Sequence, residues 1–167
     1  MVIFAKCAYI QEILSQQMNE HVFKKEYLCI VEGFLNQKSG IIDLPISRKP
    51  GSIIERCVDS SGQPSRTIYK VVKEFEVNFG NDVQAFSLVS CKLETGRTHQ
   101  IRVHFSYIGH PLLGDTLYGK PSTLISRQAL HSYQISFIHP ITKKEQCFTC
   151  PLPNDMNDVL SKKRVNL

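Results

Sequence analysis

The segment Gly96-Arg-Thr-His-Gln-Ile-Arg-Val-His-Phe-Ser-Tyr-Ile-Gly-His-Pro111 constrains the fold more than any other stretch of the chain. Ile101, Phe105 and Ile108 fall within a narrow arc at the helical angular step, so a short helix can lay that arc on a core. Thr98 is placed to cap its N-terminus, Gly109 to occupy the left-handed position after its last turn, and Pro111 to stop it. Arg102 lies about 100° from Ile101 on the same helix, at the margin of the buried arc. Arg97 sits in the Gly96 turn beside the helix start, where unpaired backbone N–H groups favour an anion. A guanidinium fixed at the rim of a packed face can lock a carboxylate or phosphate through paired hydrogen bonds.

Strand patterns surround this helix. Val2 to Ala5 reads as a buried strand at the very start of the chain, and Ile10, Ile13, Leu14 and Met18 mark one face of a helix ending before Asn19. Glu26 to Glu32 is a strand punctuated by Gly33, and Ile41 to Ile46 is a short one in which Pro45 marks an edge or an end. Residues 47–66 form a polar connection carrying Arg48, Lys49, Arg56 and Arg66. Thr67 to Val77 and Ala85 to Leu93 are strands joined by a Gly80-Asn81-Asp82 turn. Ala129 to Ile138 and Glu145 to Cys150 are the last strands, and Asn154 or Asp155 caps a final helix over Met156 to Ser161. The expected fold is α+β: a mixed, largely antiparallel sheet with flanking helices.

The chain's 167 residues fit one domain, and its net charge of +5 tilts the partner toward nucleic acid or phosphates. No apolar run approaches the roughly 20 residues of a membrane helix, and Lys6 stops the apolar N-terminus too early for a secretory signal. With no such signal, the scattered cysteines point to a reducing, cytoplasmic location. Cys147-Phe-Thr-Cys150 has no second pair of metal-ligand spacing, so it reads as small packed side chains rather than a metal site. His99 and His104 fall on different sides of the helix and cannot share a metal; they and His110 read as structural hydrogen-bonding groups. Asp115, between Gly114 and Thr116, reads as a turn or cap residue. Tyr27 alternates with Cys29 and Val31, which suits a core tyrosine. It also suits a ring that stacks a flipped base, with a hydroxyl available for proton transfer. No Gly-rich phosphate loop, dinucleotide fingerprint or nucleophile elbow is present.

Gly96-Arg-Thr-His-Gln-Ile-Arg-Val-His104 followed by Gly109-His-Pro-Leu-Leu-Gly-Asp-Thr-Leu-Tyr-Gly119 closely resembles the RluA-type pseudouridine synthases. Lys25-Glu-Tyr-Leu-Cys-Ile-Val-Glu-Gly33 resembles that family's Lys-x-Tyr strand, and Leu130-His131, Phe137-Ile-His-Pro140 and Phe148 to Pro153 its last strands. The resemblance implies isomerisation of a uridine in ribosomal or transfer RNA without a cofactor or metal, by a protein that is a monomer when full-length. It assigns catalytic roles to Arg102 and Tyr27. Arg97 and His99 would face the RNA, and the basic loop with Arg48, Lys49, Arg56 and Arg66 would grip its backbone. The family's nucleophilic aspartate belongs to a His-Arg-Leu-Asp motif, and that motif is not found here. None of Asp43, Asp59, Asp82, Asp115, Asp155 or Asp158 has its neighbours. Residues 1–167 are therefore expected to be a catalytic domain incomplete at its N-terminus, and inactive alone. The alternatives are a non-catalytic RNA-binding module or relic of such an enzyme and, more remotely, a phosphate-ester enzyme using Arg97, Arg102 and the histidines.

Overall fold

A computed structural model describes residues 1–80 and 82–162 of the chain. In order, the elements are α1 (Ala8–Asn19), β1 (Lys24–Glu32), β2 (Ser39–Asp43), β3 (Ile46–Arg48), β4 (Arg56–Val58), β5 (Arg66–Phe79) and β6 (Asp82–Leu93). They continue with α2 (Gln100–Tyr107), β7 (Leu130–Ile138), β8 (Glu145–Thr149) and α3 (Asn154–Ser161). Six strands form one sheet in the order β2-β5-β6-β1-β7-β8, and β3 and β4 pair separately as a small hairpin. Every pairing between these strands is antiparallel. This is the α+β fold with a largely antiparallel sheet that the alternating patterns imply.

The centre of the sheet is dictated by β1. Cys29, Ile30 and Val31 are apolar in succession and wholly buried, as a strand covered on both faces requires. On one face Cys29 and Val31 meet Val89, Cys91 and Leu112 beneath Ile101 and Phe105 of α2. The opposite face carries Ile30, Phe86 and Leu88 against Met156 and Val159 of α3. The β7 end is closed by Leu14 of α1 against Phe23, Ile135 and Phe137.

Several expectations need correction. Val2 to Ala5 forms no strand: Phe4 is 87% exposed, while Ile3 and Ala5 pack on the Phe23 cluster. The segment pairs with no strand, and without a hydrogen-bonded neighbour an apolar run has no ladder to join. Ile41 to Ile46 is two strands, because the backbone leaves β2 at Leu44-Pro45 and re-pairs through Ile46 with Gln63. The polar connection 47–66 accordingly holds the β3–β4 hairpin. The final helix is capped by Pro153 without a side-chain bond, and Asp155 instead lies in its first turn and pairs with Arg127. Cys147 is exposed and Cys150 half-buried, so neither is the buried filler expected. Phe79 pairs with Asp82 as the expected hairpin demands; Asn81 of that turn lies outside the described residues.

Phe105 is fully buried, with its ring edge-on to Tyr69 at a centroid distance of 5.8 Å. Phe105→Ala is expected to lower unfolding free energy by about 3–5 kcal/mol. Val72→Ala, at a residue 56% exposed, should change it by less than about 0.5 kcal/mol. Urea denaturation of both variants checks this.

Candidate functional site

The helix that organises the site begins differently from its sequence reading. His99, not Thr98, is the N-cap; it adopts the left-handed conformation (φ 58°), and no side chain caps the helix. A non-glycine residue in that region costs about 1–2 kcal/mol, so the surroundings must enforce it. Gln100 does so. Its Nε2 donates to Arg66 O and Thr67 Oγ1 at 3.0 Å each, and its Oε1 accepts from Thr95 Oγ1 (2.8 Å) and Arg97 N (3.0 Å). The buried amide thus pins the Gly96–Arg97 turn to the start of β5. The other end closes as expected: Gly109 has φ 86°, His110 N donates to Phe105 O (2.8 Å) and Gly109 N to Ser106 O (3.1 Å). That is a Schellman closure.

Arg102 emerges at the rim of the buried arc and finds a carboxylate thirteen residues on. Its Nε donates to Asp115 Oδ2 and its Nη2 to Asp115 Oδ1, both at 2.7 Å. The Arg102 side chain is 13% exposed and that of Asp115 is 0%. Asp115 is also the turn residue expected, since its Oδ1 accepts from Leu117 N (3.0 Å) and Tyr118 N (3.2 Å). Burial pushes the Asp115 carboxyl up, but the hydrogen bonds from Arg102 and the two amides, with the Arg102 charge, hold it below its ordinary value. The turn sets the Tyr118 ring under the guanidinium, 4.9 Å from centroid to Cζ.

Tyr118 ties three elements together. Its hydroxyl accepts from Arg56 N (2.8 Å), docking the β3–β4 hairpin, and bonds His99 Nδ1 (2.9 Å). Burial first, then the charges of Arg102 and Arg56, lower the His99 pKa, with Asp115 opposing. His99 is therefore neutral at pH 7. His104 and His110 are structural, as expected. His104 bonds Thr67 Oγ1 (2.9 Å) and Leu44 O (3.0 Å), and His110 Nδ1 donates to Glu32 O (2.9 Å). Sequence reasoning missed Gln100, Tyr118 and the pairing role of Asp115; the Gly-Asp-x-x-Tyr spacing was the only signal for the last two.

The remaining residues divide. Tyr27 is half-buried on β1 against the α2 cluster, and burial raises its pKa. No hydrogen bond or ring contact joins it to Arg102 among the described residues. A cleft of about 770 Å³ is lined by Met18, Phe23, Lys25, Glu26, Leu93 and Arg97 among others, and Tyr27 is not part of its wall. Lys25 lies 5.5 Å over the Phe23 ring, and burial lowers its pKa. Arg48, Arg56 and Arg97 line a second hollow of about 450 Å³, which shares Gly96 and Arg97 with the cleft. Lys49 and Arg66 stand apart, bound to Glu55 (2.9 Å) and to Glu94 (3.1 Å). Among the described residues no cluster of three or more histidine, cysteine or acidic side chains could hold a metal. Among the described residues no helix is long and apolar enough to cross a membrane.

Fold and site together define a basic α+β domain built round a helix-borne arginine, open on one side to a cation-lined cleft. Residues 1–107 match the model of the RNA pseudouridylate synthase family, and the chain belongs to that family. It is 46% identical over 160 residues to an uncharacterised RNA pseudouridine synthase of Bacillus subtilis (strain 168), covering 96% of this chain and 54% of that protein. It is 40% identical over 169 residues to the ribosomal large subunit pseudouridine synthase D of Nitrosomonas europaea, covering 96% and 46%. Among solved structures, human RNA pseudouridylate synthase domain containing 1 matches with a TM-score of 0.72 at 26% identity, covering 88% of this chain and 62% of that one. The chain thus spans about half the length of the curated relatives it matches.

Replacing Asp115 by Asn leaves Arg102 without its counter-charge and is expected to cost about 3 kcal/mol of stability at pH 7. The depressed Asp115 pKa makes its contribution full above the unfolded carboxyl value, near 3.8, and lost as pH falls through the lower folded value. The wild type should therefore weaken more steeply than Asp115→Asn as pH falls below the unfolded carboxyl value. Unfolding free energies on either side of that value decide it.

Proposed function

We propose that residues 1–167 are part of the catalytic domain of an RNA pseudouridine synthase, which converts specific uridines in RNA to pseudouridine. The observation that carries this is Arg102, fixed by α2, Asp115 and Tyr118 within the motif the family shares. In this reading Arg102 steadies the nucleophilic aspartate, using the guanidinium edge that Asp115 leaves free. Tyr27 meets the flipped uracil and serves the proton transfer at carbon 5. The target nucleotide approaches by the cleft lined by Lys25 and Arg97 after leaving its stack. Arg97, His99, Arg48 and Arg56 face the RNA. Lys49 and Arg66 contribute less, because carboxylates already answer their charges.

Isomerisation needs no cofactor or metal, because the base is detached and rejoined in one pocket. The protein works in the cytoplasm, as a monomer when full-length. Ribosomal RNA is the favoured substrate over transfer RNA, in keeping with the name of the Nitrosomonas europaea relative. The nucleophile is absent from the 167 residues, since no His-Arg-Leu-Asp motif occurs in them.

Tritium release from RNA labelled at uridine carbon 5 tests the proposal. The chain alone should release none; release by it overturns the assignment of the nucleophile. Joined to the His-Arg-Leu-Asp portion of a relative, it should release tritium, and Arg102→Ala or Tyr27→Phe should slow release by about a hundredfold or more. Unchanged rates in both variants would remove the two residues from the chemistry.

A further inference from the structure

The described arginines fall into two groups. Arg66, Arg102 and Arg127 each pair with a carboxylate: Glu94 at 3.1 Å, Asp115 at 2.7 Å and Asp155 at 2.8 Å. Arg48, Arg56 and Arg97 pair with none among the described residues, and all three line the hollow of about 450 Å³ at the root of the β3–β4 hairpin. Two of them are held by a single bond to a neutral carbonyl, which fixes the arm and leaves the charge unanswered. Arg48 Nη1 donates to Ile53 O (3.2 Å) and Arg97 Nε to Pro64 O (3.2 Å). Arg56 is anchored only through its backbone amide, on Tyr118. Ser47 and Thr98 add hydroxyls to the same wall. The nearby carboxylate of Asp59 is taken up by hydroxyls and an amide, its Oδ1 accepting from Ser61 N and Ser61 Oγ at 2.8 Å each and its Oδ2 from Ser47 Oγ at 3.4 Å, and it forms an ion pair with none of the three arginines.

Like charges gathered in one concavity repel one another, and the other described arginines are each neutralised by a carboxylate. A concavity that gathers three and neutralises none is built for an external anion. Its floor is rigid: a Cβ at Gly62 would stand 2.5 Å from the Ile46 carbonyl carbon, so the hairpin root and the loop behind it are in direct backbone contact.

We propose that Arg48, Arg56 and Arg97 form one phosphate-binding pocket, which holds a single phosphate group through charge-assisted hydrogen bonds from three guanidiniums. Its source is the RNA backbone, an identification that rests on the function proposed above; the pocket itself does not. Tyr118 joins it to the arginine site, accepting from Arg56 N on one side and lying under Arg102 on the other. A phosphate held there fixes the strand beside the nucleotide that enters the cleft across Arg97.

The test is binding by the whole chain of two probes, a single-stranded RNA oligonucleotide across a salt series and inorganic phosphate by calorimetry. Three guanidiniums on one phosphate act as a unit. The triple variant Arg48→Gln/Arg56→Gln/Arg97→Gln should therefore lower the slope of log K against log salt by about 0.7 in total, and Arg97→Gln alone should produce most of that loss. Inorganic phosphate should compete with RNA for the wild type and lose saturable binding in both variants. Lys144→Gln, in the turn between β7 and β8, should change neither probe. An additive loss of about 2 in slope would mean three separate phosphate contacts and overturns the single pocket. RNA binding indifferent to the three arginines overturns the pocket and leaves the RNA reading standing. Phosphate binding through them without RNA binding supports the pocket and overturns the RNA reading; no binding of either probe overturns both.

Discussion

The two-pronged bond between Arg102 and Asp115 holds the functional half of this molecule in shape. A carboxylate with no exposed surface is tolerable only because two guanidinium N–H groups and two backbone amides meet its oxygens. Those amides belong to Leu117 and Tyr118, so the ion pair also folds the turn that delivers Tyr118. Tyr118 in turn carries the β3–β4 hairpin and orients His99. One charge pair thus determines where an aromatic ring, a hairpin and a neutral imidazole stand relative to α2. Asp115 engages Nε and Nη2 of Arg102 and leaves Nη1 unengaged.

The sheet was legible in the sequence because its strands carry their own burial pattern. β1 is apolar on both faces and central; β6 beside it carries the buried run Phe86 to Val89, and β5, one strand further out, begins in alternation with Thr67 and Tyr69 buried. The α2 segment was legible too, from Ile101 and Phe105 on one arc and Gly109 with φ 86° after the last turn. What escaped reading depended on partners distant in sequence. Val2 to Ala5 has strand composition, but a strand exists only where another backbone pairs with it. The β3–β4 hairpin has three residues per strand and a polar composition, so no periodicity could announce it. The left-handed His99 is forced by Gln100, whose bonds reach back 34 residues to Arg66.

The site's central pairing was hidden for the same reason. Asp115 reads correctly as a turn residue, because half of its hydrogen bonds are local. Its other half belongs to a helix that the chain has already left and that it meets again through the tight turns at Gly109 and Gly114. At Gly114 φ is 73° and a Cβ would stand 2.5 Å from Arg127 O, so the path from α2 to Asp115 admits no other residue. Family motifs record such partnerships as fixed spacings without saying which atoms meet. The structure supplies the atoms.

The hairpin that bears Arg48 and Arg56 is held at one end only. Its root is closed against Gly62 and anchored on Tyr118, while Ile53 and Ile54 at its tip are 81% and 57% exposed. Insertions and substitutions between Lys49 and Glu55 would therefore disturb neither the sheet nor the arginine site, since lengthening a surface loop costs only fractions of a kcal/mol per added residue. Evolution can reshape this finger while leaving the scaffold round Arg102 untouched. Related chains can diverge in the surface they present beside that scaffold chiefly by the length and chemistry of those few residues.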